Sequence, residues 1–427
     1  MGLRRLFGPI GLGVLMVLMG GMQFGCQPAD TPTDAPTLPE EGASGSALPG
    51  SGDPAGDVAG DEHGEGSGTK SESESAAGNG ATGGAKTAEG AEVASGPETE
   101  TAGKTAGAAK SGQGNATEVT VDVPLGLPPV PIPDDNPMTA EKIALGKKLY
   151  FDKRLSKDGT VSCATCHDPR MAWTEHRPTS KGVEGQVGDK NSPTIINSAY
   201  APEQFWDGRA ASLEEQALGP MENPIEMGHE LDALINDLAR VEEYEESFQE
   251  VFGTTVTREG MAKAIAAYER TVLSGNSPYD QYKEGDENAL TEAQKRGLKL
   301  FEDVGCATCH APPVFSNHGY YNAGIGMDKD PPDAGRQNVT GEDRDLGKFR
   351  VPMLREVVDT HPYYHDGSVE TLEEAVEIMA TGGKKNDNLS MIFTGIASQE
   401  ISDQDQKDLV EFLKALSGDY PIPDEEA

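Results

Sequence analysis

VSCATCHDPRMAW occupies Val161–Trp173 and VGCATCHAPPV occupies Val304–Val314, so the chain spells CATCH twice, 143 positions apart. Two thiols three positions apart, with an imidazole directly after them, have the spacing of c-type haem attachment. Cys163 and Cys166, or Cys306 and Cys309, can add to the two vinyl groups of one porphyrin. His167 or His310 then reaches the iron from the same face. A redox dithiol, a structural disulfide and half a zinc site use the same spacing. Doubling of the motif in a chain with only one further cysteine, Cys26, favours two covalently bound c-type haems over all three.

The approaches to the motifs repeat as well. TAEKIALGKKLYFDKRLSKDGTVSCATCH (139–167) and TEAQKRGLKLFEDVGCATCH (291–310) each open on Thr and an acidic residue, as at a helix N-terminus. Apolar residues then follow at helical spacing: Ile143, Leu145, Leu149 and Tyr150 in the first, Gly297, Leu298, Leu300 and Phe301 in the second. LEEQAL, LDALINDLARVEEYEESFQEVF and REGMAKAIAAYERTVLSG also read as helical, and the stretches after each CATCH are rich in Gly, Pro and Asn. The expected fold is mainly α: two cytochrome c-like domains made by duplication, each with one haem and long structured loops.

Composition divides the rest. Of 427 residues only 36% are hydrophobic and 52 are Gly. Residues 1–25 carry two arginines and an apolar run ending in small residues, an export signal by pattern. The alternative is a membrane anchor, for which the run is short and glycine-rich. Gly25-Cys26 resembles a lipoprotein cleavage point, although Gln23 and Phe24 are poor matches; the alternative is an unmodified cysteine. Residues 26–121 form a linker of Ala, Gly, Ser, Thr, Pro, Glu and Asp, too poor in apolar area to offset backbone ordering. As a flexible chain it would reach on the order of 50–60 Å. The two haem domains are assigned to 122–285 and 286–427.

The formal charge is −37, and the linker's 16 acidic residues against 4 lysines account for a third of it. Such an excess repels nucleic acid and suits a basic soluble partner, or serves solubility alone.

NSPTIINSAYAPEQFWDGRAASLEEQALGPMENPIEMG (191–228) and FRVPMLREVVDTHPYYHDGSVETLEEAVEIMATGG (349–383), together with two CxxCH sites, resemble the bacterial dihaem cytochrome c peroxidases and their MauG-like relatives. The likeness runs from about residue 125 to 420. It implies a periplasmic enzyme that reduces hydrogen peroxide to water with electrons from a small cytochrome c or cupredoxin. It also implies a C-terminal haem held by His310 and Met379 as the electron entry site, where a thioether raises the potential. By spacing alone Met379 could instead pack with Leu372, Ala375 and Val376 on an apolar helix face. MauG-type enzymes have a tyrosine in this role.

The N-terminal haem of the family takes the peroxide. Many members block it with a loop histidine, but register from Thr179-Ser180 to Asn191-Ser192-Pro193-Thr194 puts Val183 there. Valine cannot ligate iron, so the site is expected to be open without prior reduction; His176, seven residues earlier, is the other candidate. Glu226 falls on the family's acid-base position and Gln216 on a peroxide-binding glutamine. Trp206 falls between the haems, where it carries electrons or simply packs. Arg209 pairs with a haem propionate or with a nearby acid. Asn191 and the carbonyls of Thr360 and Pro362 match a calcium site, with His361 in place of the usual aromatic between the last two. Homodimers are frequent in the family. The rival readings are a MauG-like oxidase acting on a partner protein, which an open first haem would also serve, and a dihaem electron carrier without enzymatic activity.

Overall fold

The computed structural model describes residues 118–423, so the export segment, Cys26, nearly all of the linker and residues 424–427 lie outside the described residues. The helices, in chain order, are α1 (Ala140–Phe151), α2 (Cys163–Cys166), α3 (Leu213–Glu222), α4 (Leu231–Leu238), α5 (Glu242–Phe252), α6 (Arg258–Glu269), α7 (Pro278–Lys283), α8 (Glu292–Asp303), α9 (Gln337–Thr340), α10 (Leu372–Ala380), α11 (Met391–Ala397) and α12 (Asp403–Lys414). The one sheet among the described residues pairs β1 (Tyr320–Tyr321) with β2 (Phe349–Arg350), antiparallel, Tyr320 opposite Arg350.

The duplication is visible in how each half starts. Thr139 caps α1 by accepting from the Lys142 amide, and Thr291 caps α8 in a reciprocal box with Gln294. Each helix then crosses a later helix of its half at a glycine. A Cβ on Gly146 would stand 1.9 Å from the Ala264 carbonyl oxygen of α6, and one on Gly297 would stand 1.9 Å from the Asp408 carbonyl oxygen of α12. Only a hydrogen fits at either crossing. One turn later Tyr150 and Phe301 each bury into the core of their half.

The first core gathers Leu145, Leu149, Tyr150, Trp173, Phe248 and Tyr268; the second gathers Phe301, Phe315, Val376, Leu409 and Phe412. LDALINDLARVEEYEESFQEVF does not run as one helix. Leu231, Leu234 and Leu238 of α4 and Tyr244 and Phe248 of α5 all bury, yet a continuous helix would set the two groups about 90° apart around its axis. The break at Ala239–Val241 turns both stripes onto the same core.

The halves are tied closely. Val119, at the end of the linker composition, donates to the Met138 carbonyl at 2.9 Å, and Val121 packs with Val130, Leu213 and Leu273. Arg355 forks onto Asp280 at 2.7 and 2.8 Å with both side chains buried, and its Nε donates to the Pro313 carbonyl at 2.8 Å. Leaving one such charge alone costs about 3–5 kcal/mol, so this pair specifies how the linking segments dock. The C-terminus returns to the first half, where Trp173 Nε1 donates to the Pro421 carbonyl at 3.1 Å.

Candidate active site and haem cavities

Each CATCH folds as a single helical turn. The His167 amide donates to the Cys163 carbonyl at 3.0 Å and the His310 amide to the Cys306 carbonyl at 2.9 Å, which gathers two thiols and an imidazole on one wall of a cavity. Among the described residues no disulfide joins Cys163, Cys166, Cys306 or Cys309. Burial pushes Cys166 up to about 12 and Cys306 up to about 11, the opposite of the lowered values that redox dithiols and metal thiolates need. Among the described residues, neither motif brings its sulfurs and imidazole within reach of one metal ion. Burial holds both histidines neutral, down to about 4, so each keeps a ring nitrogen lone pair for iron. His310 Nδ1 donates to the Phe315 carbonyl at 3.0 Å, leaving Nε2 free for a metal. His167 Nδ1 is buried with no hydrogen-bond partner. The residues present fit a c-type haem in each cavity.

The cavities differ in size and chemistry. The one at His167 encloses about 790 Å³ and is lined by Gln216, Glu226, Asp189, Asp207, Glu269 and Asp333 among others. The one at His310 encloses about 220 Å³ and has no carboxylate in its wall. Ala375, Val376 and Met379 of α10 line the smaller cavity. Met379 is absent from the packed apolar core that takes Leu372, Ala375 and Val376, so its side chain fronts the cavity rather than the core.

Glu226 reaches the larger cavity because Pro220 and the Asn223 turn end α3 there. The Glu226 amide donates to the Asn223 carbonyl at 3.0 Å, and Asn223 Nδ2 donates to Glu226 Oε1 at 2.8 Å. Burial raises its carboxyl above its ordinary value, with Arg209 and Asn223 pulling the other way. Gln216 lies on α3, half-buried, in the same wall. Val183 is buried in the first core and donates to the Glu226 carbonyl at 2.9 Å. His176 points elsewhere: its Nε2 donates to the Asp359 carbonyl at 2.8 Å and its ring stacks on His361 at 4.2 Å. His167 is the one histidine lining the larger cavity among the described residues.

Trp206 lines both cavities and belongs to neither apolar core; its Nε1 donates to the Asn191 carbonyl at 2.8 Å. Arg209 lines the larger cavity, but its guanidinium pairs with Asp207 at 3.0 Å and lies over the Phe205 ring. Asn191 receives a second tie, its amide donating to the His365 carbonyl at 2.8 Å, while its Nδ2 donates to the Arg177 carbonyl and leaves Oδ1 over. Thr360 and Pro362 flank His361, on the opposite half from Asn191.

Three wall residues escaped the sequence reading. Phe349 and Arg350 line both cavities, and the His365 ring stacks on Phe349 at 3.5 Å. Glu269, buried at the end of α6 and pushed up to about 8 by burial, lines the larger cavity. FRVP and YERTV show no local pattern that distinguishes a wall residue from a core or surface one. Asp333, His365 and Asp366 cluster, but Lys329 sits 2.8 and 3.2 Å from the two acids and already supplies the cation.

Residues 140–288 match the family model of di-haem cytochrome c peroxidase and residues 294–417 that of cytochrome c. Cytochrome c551 peroxidase of Nitrosomonas europaea is 40% identical over 294 residues, covering 68% of this chain and 84% of its own. The chain belongs to the di-haem cytochrome c peroxidase family. Cytochrome c peroxidase Ccp of Escherichia coli is 42% identical over 299 residues, and the matched part spans 62% of that longer protein and 69% of this chain. The crystal structure of a MauG-like protein associated with microbial copper homeostasis superposes with a TM-score of 0.64 at 33% identity, covering 70% of this chain and 95% of that one. Membership accounts for the two cytochrome c folds and implies two c-type haems, one for each CATCH.

Proposed function

We propose that this di-haem peroxidase reduces hydrogen peroxide to water in the His167 cavity, with electrons entering by way of the His310 cavity. The observation that carries this is the asymmetry of the walls: Glu226 and Gln216 line one cavity, and Met379, with no carboxylate, lines the other. When bound, the haems supply the redox-active iron, one to act on peroxide and one to hold an electron. Glu226 Oε1 is occupied by Asn223, so Oε2 takes the proton from the near oxygen of peroxide and returns it to the far one as water leaves. Gln216 orients peroxide by hydrogen bonding. Trp206, which lines both cavities together with Phe349 and Arg350, carries the electron between them. Steady-state peroxide consumption with a reduced small cytochrome c as donor tests the reading; a two-haem preparation inert to peroxide in every redox state would sink it.

Val183 and the diversion of His176 support an active site open in the fully oxidised enzyme. The expected electron paramagnetic resonance spectrum contains a high-spin ferric signal, and peroxide consumption begins without a lag after reductant is added. A low-spin bis-histidine signal that vanishes in His176→Ala would contradict this. An open first site also serves the MauG-like reading, in which a partner protein is oxidised, and the likeness to a MauG-like structure keeps that reading second. Met379 at the second site, where that branch has tyrosine, favours the peroxidase.

Asn191 Oδ1 and the Thr360 and Pro362 carbonyls are proposed to hold calcium, an oxygen-only set suited to a hard cation. Since Asn191 also holds the Trp206 indole, chelation with EDTA is expected to lower turnover and the thermal midpoint together, with calcium restoring both. Unchanged turnover and midpoint after exhaustive chelation would remove the ion.

The electron donor is a small cytochrome c or cupredoxin, drawn to an acidic body. Among the described residues no helix is long and apolar enough to cross a membrane. We place the enzyme in the periplasm, held through a lipid on Cys26 by the linker, and assign it as a homodimer on family precedent.

A further inference from the structure

Arg350 stands in the walls of both cavities, and its surroundings lack the anion its charge requires. Its Nη1 is buried with no hydrogen-bond partner, and its Nε makes a long contact of 3.3 Å with the Phe205 carbonyl. No carboxylate among the described residues pairs with it. The acid whose charge it feels, Glu203, is spent elsewhere: Oε1 accepts from Arg336 Nη2 at 3.0 Å and Oε2 from the Tyr320 hydroxyl at 2.6 Å. The other cations lining the cavities are served, Arg209 by Asp207 at 3.0 Å and Lys190 by Asp189 at 2.8 Å. A half-buried guanidinium whose Nη1 is buried without a partner and which no carboxylate pairs is costly to leave so, and it calls for an anion from outside the protein's own side chains at this point. Its backbone is also held in place from behind. Arg350 pairs with Tyr320 across the sheet, and its amide donates to the Trp206 carbonyl at 2.8 Å, so cation and indole share one rigid partition.

We infer that Arg350, rather than Arg209, is the cation that receives haem propionate carboxylates, and that from the partition it serves the haems of both cavities. A planar guanidinium matches carboxylate geometry, and its five donors exceed what one propionate can occupy. A fixed positive charge near both irons favours the ferrous state of each, so one side chain holds both midpoint potentials up.

This rests on both cavities holding haem and not on peroxide turnover, so failure of the peroxidase assay and failure of this inference are separate results. The test is a spectroelectrochemical titration of the two-haem protein. In Arg350→Gln both midpoint potentials are expected to fall, each redox equilibrium moving about tenfold toward the ferric form, about 59 mV for one electron. Arg209→Gln is expected to move them less. A fall at one haem alone, no fall, or a larger fall in Arg209→Gln overturns the inference. Should Arg350→Gln fail to hold two haems, Arg350→Lys decides by resonance Raman spectroscopy. Lysine keeps the charge and loses the fork, so the propionate-bending bands of both haems are expected to shift; unmoved bands, as a solvent anion at Arg350 would give, overturn it.

Discussion

Glu226→Gln is expected to lower peroxide turnover by about 10²–10⁴-fold, the range of a positioned acid-base group, while both haem absorption bands keep their intensity. The amide preserves the shape and the contact with Asn223 but cannot accept the peroxide proton. A pH profile adds the sign. Burial raises the Glu226 carboxyl above its ordinary value, and the group must be ionised to begin the cycle. Turnover of the parent enzyme therefore rises as pH climbs through that raised value and is lost below it. The acidic limb should disappear in Glu226→Gln, leaving a low, flat profile. Full turnover in the variant, or an acidic limb that survives, would take Glu226 out of the chemistry.

Met379→Ala should have the largest effect on the second site. Axial ligands spread haem potentials over about 0.8 V, and exchange of a thioether for water or a vacancy is expected to lower this midpoint by on the order of 0.1 V or more. The sulfur-to-iron charge-transfer band should vanish, and donor-driven turnover should fall because the entry site no longer accepts electrons from a small cytochrome. The position of Met379 supports this outcome: it lines the cavity wall but stands apart from the apolar cluster that Leu372 and Val376 join. Were Met379 only a packing residue, Met379→Ala would cost stability and leave both potential and band as they are.

How much of this can be read in the residues depends on distance along the chain. The caps at Thr139 and Thr291 are local hydrogen-bonding patterns, and both helices begin where those patterns predict. The continuous helical stretch after Leu231 hides a break, because the phase of buried residues matters only once a core exists to receive them. Glu226 is one of many acids in an acidic chain; its surrounding motif singles it out, while its raised proton affinity comes from burial and the nearby Asp189 charge, which outweigh Arg209 and Asn223. Arg350 could not be found at all from FRVP. Its significance is the lack of a partner, and that depends on Glu203 being taken by Arg336 and Tyr320.

By itself the sequence pointed to the covalent chemistry: one helical turn suffices to present two thiols and an imidazole within five residues, and the doubling of that motif favours haem attachment over its alternatives. It also determined that this happens twice, and that a helix with a glycine and an aromatic one turn later precedes each. Only the tertiary structure decided that the two cavities share a wall and that carboxylates line one of them and not the other. That outcome requires Trp206 and Arg350, separated by more than a hundred residues, to meet over the same partition, and it requires acids to gather round one cavity and be kept from the other. Such arrangements follow from which surfaces pack and which charges are left unpaired, and no local spacing encodes them.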